Sequence, residues 1–318
     1  VPTFCRHSRF VQNCPICSRE LEADKPKAPP RSRSATQRRA SGGSGVHIRQ
    51  AARVGDDGYR SELAPGLRVA SDAERLASEI GFSAARLAEL ASTAPGLYAE
   101  VASEPDLEEA IWLAFLIAYF SPTEADDPFA TIRAVRTPWA SGELPSVGPE
   151  LEVGPRSAWD PGRGPETIVA YRRWAQRAGT QADAFTGEAH WDAERRFARA
   201  FERLALPGFP RTARFDLLVT LGRTGRYEMR AGSLLLAGAA AYDDTAVAAK
   251  RVFGIADPLL IDRRAAALAE ACEVPLEALD LAMFNWQRGE DSRATLGAGP
   301  APRADTAGRE RAAAALGV

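Results

Sequence analysis

Three cysteines and a histidine stand close together in "CRHSRFVQNCPICSRE": Cys5, His7, Cys14 and Cys17. Cys14-Pro-Ile-Cys17 is a C-x-x-C knuckle, and Cys5-x-His7 supplies a second ligand pair at short range. Four soft N/S donors suit tetrahedral Zn²⁺, and a site whose four ligands all come from protein is closed and structural. A redox C-x-x-C would need a βαβ context, which the surrounding sequence lacks. The fourth cysteine, Cys272, sits in an alanine-rich helical stretch and reads as a small buried hydrophobe.

A second group with chemical potential lies in "LVTLGRTGRYEMRAGSLLLAGAAAYDDTAVAAKRVFG", residues 218–254. Gly222-Arg223-Thr224-Gly225-Arg226 reads either as a backbone hairpin that grips a phosphate or as a simple turn. Asp243 and Asp244 offer a carboxylate for proton transfer, and an aspartate before "TAVAAKRVFG" is equally a helix N-cap. Arg211, Arg214, Arg223, Arg226 and Arg230 are the candidate phosphate contacts, although Asp216 and Glu228 are near enough in sequence to pair with some of them. Tyr227 and Trp286 are candidates for stacking on a base, with Asn285 and Gln287 as hydrogen-bonding edges for it. Glu124, Asp126 and Asp127 read as a cation site or, more plainly, as a loop and cap.

These groups must be positioned by helices. Hydrophobic residues make up 45% and charged residues 26% of the 318, values of a globular chain. Asp72 and Glu74 follow Ser71 in a capping-box spacing, and Ser83 opens a further helical run. Ala110–Phe120, "AIWLAFLIAYF", is apolar all round and too short to span a bilayer, so it predicts a central buried helix. Residues 137–165 are rich in Pro and Gly and predict a long loop, ended by Pro165 at a helix start. "HWDAERRFARAFERLAL" places Phe197, Ala200, Phe201 and Leu204 on one face, with Arg195, Arg199 and Arg203 opposite. Strand-like alternation persists nowhere, so the fold class is all-α.

The charge is divided. Residues 1–60 hold 12 basic and five acidic residues, while the remainder is acidic enough to bring the net charge to −2. Lys25 to Arg53 contains eight basic residues and no acidic one, with almost nothing apolar, and predicts a disordered tether or an arm along nucleic-acid phosphates. The expected organisation is a zinc knuckle at 1–20, a basic linker at 21–60, a helical domain at 61–295 and a flexible tail at 296–318. With no secretory signal or membrane span in sight, the expected location is cytoplasmic, at the nucleoid.

The order of parts resembles the helix-hairpin-helix fold of DNA glycosylases, whose motif reads L-P-G-x-G followed by R-K-T-A and holds a DNA phosphate on backbone amides. Laid on Thr220 to Tyr227, that pattern puts Arg223 at the first glycine and Tyr227 at the lysine of bifunctional members. Tyr242-Asp243-Asp244-Thr245-Ala246-Val247 then follows where those enzymes carry V-D-T-H-V, with alanine for the histidine. "CRHSRFVQNCPICSRE", "FLIAYFSP" and "LALPGFPRTARFDLLVTLGRTGRYEMRAGSLLL" are similar to the alpha-glutamyl/putrescinyl thymine pyrophosphorylase family, in its bacterial clade with an N-terminal zinc knuckle. The similarity runs from the knuckle to about residue 290. It implies chemistry on thymine-derived or 5-hydroxymethyluracil-type bases in DNA, with an amine or nucleotide-derived co-substrate displacing pyrophosphate. A monofunctional glycosylase and a non-catalytic DNA-binding protein on the same fold are the alternatives.

Full-length protein purified without chelator should carry close to one zinc per chain, and Cys14→Ser with Cys17→Ser should remove it. Elemental analysis of both proteins checks this; metal-free wild type would exclude the knuckle.

Overall fold

Helix α3, Leu107–Phe120, organises the packing because every side chain from Ala110 to Phe120 is buried. Asp106 caps it, accepting from the Glu108 amide at 2.9 Å. Trp112, Phe115 and Tyr119 recur at helical spacing, and Phe115 stacks on Tyr171 with ring centroids 3.8 Å apart. A helix apolar on all faces needs neighbours on all sides. The computed structural model supplies them, and describes residues 55–148, 150–299 and 306–318, all within the second of two compact units, Arg53–Val318.

The described residues are helical and contain no strand. In chain order the helices are α1 (Ala70–Ser92), α2 (Leu97–Ser103), α3, α4 (Ala130–Val135), α5 (Gly164–Arg177), α6 (Gln181–Thr186), α7 (Ala193–Arg203), α8 (Arg211–Arg223), α9 (Asp244–Phe253), α10 (Pro258–Ala271), α11 (Leu276–Arg288) and α12 (Thr306–Leu316). Two groups form. Helices α2, α4, α6 and α8 pack on α3, with α7 on α8 and α5 on α6; α1, α9, α10, α11 and α12 pack together. Contacts between α1 and α8 join them. The all-α expectation is met, and the apolar run 110–120 is the central helix.

Several local expectations change. The helix over 70–92 is continuous, not two, and Gly81 within it lets α12 approach: a Cβ there would lie 2.6 Å from the Arg309 amide nitrogen. The capping box at Ser71 does not form. The helix starts two residues earlier, with Val69 as N-cap, and the Asp57 carboxylate accepts from the Ala70 amide at 2.9 Å. The linker boundary therefore lies before residue 61, and Tyr59 donates to the Leu316 carbonyl. The tail is not uniformly flexible either: Thr306–Leu316 is a helix seated on α1, burying Ala312 and Leu316.

Pro165 does open a helix, and among the described residues of the long loop before it the short 3₁₀ turn Trp139–Ser141 is the one helical piece. Arg172 fixes the start of that loop, with its guanidinium over Trp112 and Trp139 and bonded to the carbonyls of Trp139 and Glu143 at 3.1 Å each. Cys272 is fully buried and burial pushes its thiol up to about 11, as suits an inert core residue. Cys5, His7, Cys14 and Cys17 lie outside the described residues, as does the basic stretch 21–54.

Candidate functional site

The sequence around Gly222–Gly225 closes a helix and does not cradle a ligand. Thr224 is the C-cap of α8, and Gly225 takes a left-handed φ of +72°. The Gly225 amide donates to the Gly222 carbonyl at 3.2 Å and the Arg226 amide to the Leu221 carbonyl at 2.9 Å, the paired bonds of a Schellman turn. The Thr224 and Tyr227 amides are likewise committed, to Thr220 and Leu221. With its amides turned inward and the negative end of a helix dipole beside it, this bend cannot hold a phosphate as expected.

The arginines assigned to phosphate have protein partners. Arg226 donates to the carbonyls of Val101 and Glu104 at the end of α2, Arg223 pairs with Glu277 at 3.2 Å, and Arg230 pairs with Glu194 at 2.8 Å. Arg214 lies over the Phe201 ring and donates to the Phe201 carbonyl; burial lowers its proton affinity. Arg211 is buried, bonded to the Leu234 carbonyl and paired with Asp280. The expected base contacts are structural too. Tyr227 donates to the Ala182 carbonyl at 3.1 Å, and burial raises its phenol to about 12. Trp286 has the guanidinium groups of Arg75 and Arg251 over its ring and donates to the Asp72 carbonyl. Asn285 is fully buried, bonding both main-chain groups of Ala294, and Gln287 accepts from Arg251 at 2.8 Å. Glu124 accepts from Thr295 and Asp127 pairs with Arg133; among the described residues no cluster of His, Cys, Asp and Glu forms a metal site.

The two aspartates stand elsewhere. Asp243 is the N-cap of α9, 8% exposed, with Oδ1 accepting from the Ala246 amide at 2.9 Å. Its Oδ2 accepts from Thr212 Oγ1 at 3.1 Å. Thr212 is the second residue of α8, so Asp243 joins the N-terminal ends of two helices. A helix of 13 residues is about 20 Å long, which places Gly222–Gly225 that far from the carboxylate. Asp244 instead faces Arg288 at 3.4 Å, and burial raises its proton affinity against the pull of that arginine.

The turn that leads into α8 is Leu206-Pro207-Gly208-Phe209-Pro210. The Phe209 amide donates to the Leu206 carbonyl at 3.1 Å, closing it. Gly208 has φ +72°, and a Cβ there would lie 2.0 Å from Thr167 Oγ1. The first intrahelical bond runs from the Arg214 amide to the Pro210 carbonyl at 3.1 Å, so the amides of Arg211, Thr212 and Ala213 have no carbonyl partner. Beside this turn lies a groove of about 380 Å³, within the range of small-molecule sites. Leu206, Gly208, Phe209 and Pro210 form one wall, Ser157, Trp159, Asp160 and Arg163 the other, and Tyr242 stands at its edge. Sequence reading missed this site although L-P-G is written at 206–208. The glycine-rich stretch sixteen residues later drew the motif to the wrong end of α8.

Arg156 holds the two walls in place. It donates to Asp216 of α8 through Nε at 2.8 Å and Nη2 at 2.6 Å, and to Asp280 of α11 through Nη2 at 2.8 Å. Burial alone would favour its neutral form, but the two carboxylates outweigh that and hold the guanidinium charged.

No family model, curated protein or solved structure matches the chain.

Arg156→Ala leaves Asp280 buried with one cation fewer and frees the groove wall. Urea unfolding should show a loss of about 3–5 kcal/mol relative to wild type. A change within about 0.5 kcal/mol would mean the network does not hold the loop.

Proposed function

We propose that this chain modifies a thymine-type base in DNA as a transferase of the pyrophosphorylase kind, working at the N-terminal end of α8. The observation that carries the reading is the Thr212–Asp243 bond, which sets a nearly buried carboxylate at the N-terminal end of α8, next in sequence to Tyr242, a lining residue of the groove. The N-terminal end of α8, where Thr212 is half-buried, would attract a DNA phosphate, as a helix N-terminus suits an anion. A base within a duplex must leave the stack before chemistry reaches it, and the groove has room for one. The Asp243 carboxylate then accepts the proton of an attacking amine as pyrophosphate departs.

The L-P-G-x-G pattern supports the same register. It falls on Leu206 to Pro210, with Arg211-Thr212 in the place of R-K and proline at the second glycine. Thr212, not Tyr227, then occupies the lysine position. A threonine cannot form a Schiff base, so this site does not cleave the strand as a lyase, and that favours a monofunctional glycosylase as the second reading. Cys5, His7, Cys14 and Cys17 are proposed to hold a structural zinc, and the basic stretch after them to lie along DNA phosphates near the nucleoid. No helix among the described residues is long and apolar enough to cross a membrane.

Asp243→Asn retains an N-cap of equal quality, so folding is preserved while the proton acceptor is lost. Nucleoside mass spectrometry should find a heavier base in duplexes containing 5-hydroxymethyluracil diphosphate treated with wild type and an amine. The variant should be slower by about 10²-fold or more, with DNA binding unchanged. An abasic product from wild type would select the glycosylase reading. Binding without product from either protein would leave a non-catalytic DNA-binding protein.

A further inference from the structure

We propose that Tyr242 is the aromatic platform on which an unstacked DNA nucleotide rests in this groove, with Arg163 meeting its phosphate and Asp160 the N–H edge of its base. The inference rests on the reading of the groove given above and names the residues that would grip the substrate. Tyr242 is 83% exposed, and it is the one aromatic among the large exposed hydrophobic side chains of the described residues. A ring that covers so little of the protein contributes little to folding, since burial of apolar area is what stabilises.

The ring is nonetheless held in a defined place. The Asp243 amide donates to the Ala240 carbonyl at 3.0 Å, making Tyr242 the third residue of a tight turn. The Asp243 carboxylate then ties that turn to α8 and α9. The exposed ring is thereby presented at the mouth of the groove, where it is a lining residue.

Across the groove Trp159 is fixed from behind, edge-on to Tyr119 at 6.0 Å and tilted against Phe120 at 5.4 Å. Arg163 lines the groove, is exposed and has no ion pair among the described residues. Asp160 uses Oδ1 to accept from the Gly162 amide at 2.7 Å, leaving Oδ2 to face the groove's occupant. Aromatic faces, an unpaired cation and a carboxylate acceptor together fit a base with its phosphate better than an apolar ligand or a peptide. Base–aromatic stacking tolerates any sequence and is strong enough to be measured at a single residue.

The test uses full-length protein and fluorescence anisotropy with a labelled twelve-residue oligothymidylate, alone and as a duplex with its complement. Wild type should bind both, and Tyr242→Ala should weaken single-strand binding about tenfold or more, while Tyr242→Phe stays within about twofold. Arg163→Ala should weaken binding and reduce its dependence on salt concentration. Because Tyr242 is exposed, thermal melts of its variants should match wild type. Equal single-strand affinity for wild type and Tyr242→Ala overturns the platform but leaves the assignment of Asp243 standing. No binding of wild type to either DNA overturns both. Weakening confined to the duplex would place Tyr242 outside the groove's contact with the base, and overturns the platform as well.

Discussion

The arrangement depends on one buried cation. Arg156 comes from a loop with almost no regular structure, yet its guanidinium is buried between α8 and α11, in contact with Asp216 and Asp280 and over the Phe284 ring. Arg211 meets Asp280 from the other side, so two arginines and two carboxylates share one interior. Burying ions is costly, and such a cluster is weak evidence for added stability; what it does provide here is geometry. The charged partners admit one placement of the loop relative to α8. That placement brings Ser157, Trp159, Asp160 and Arg163 opposite the turn Leu206–Pro210 and so creates the groove.

Helix α8 then divides labour between its ends. Its C-terminal end is closed by its own amides, and Gly222 packs so tightly that a Cβ would lie 2.4 Å from the Met229 carbonyl oxygen. Its N-terminal end follows a proline, which has no amide to donate, and its first three amides have no carbonyl partner. The helix dipole favours an anion at that end and disfavours one at the other. The two termini of this helix, about 20 Å apart, therefore differ in the charge they would accept.

Much of the fold was legible from apolar periodicity. The run Ala110–Phe120, the faces of Phe197, Ala200 and Phe201, and the proline at the start of α5 all read correctly, because local spacing determines them. What was not legible is set by contacts distant in sequence. The Asp57 carboxylate, not Ser71, meets the first amide of α1, and the run that Ser83 was expected to open is part of the same helix. The arginines were the most misleading. Arg226 looks like a phosphate contact in a glycine-rich stretch, but a guanidinium with five donors also satisfies carbonyls at a helix end, as Arg226 does for α2. Asp243 was identified, with its capping and chemical roles left open; Thr212, which marks its place, has no local signature.

Amide chemical shifts in the labelled protein distinguish the two ends of α8 directly. Titration with a short thymidine-containing DNA should perturb Gly208, Arg211, Thr212 and Ala213, together with Tyr242 and Asp243, and leave Gly225 and Arg226 unmoved. Shifts centred on Gly222–Arg226, or none at residues 208–213, would contradict the assignment of the site to the N-terminal end.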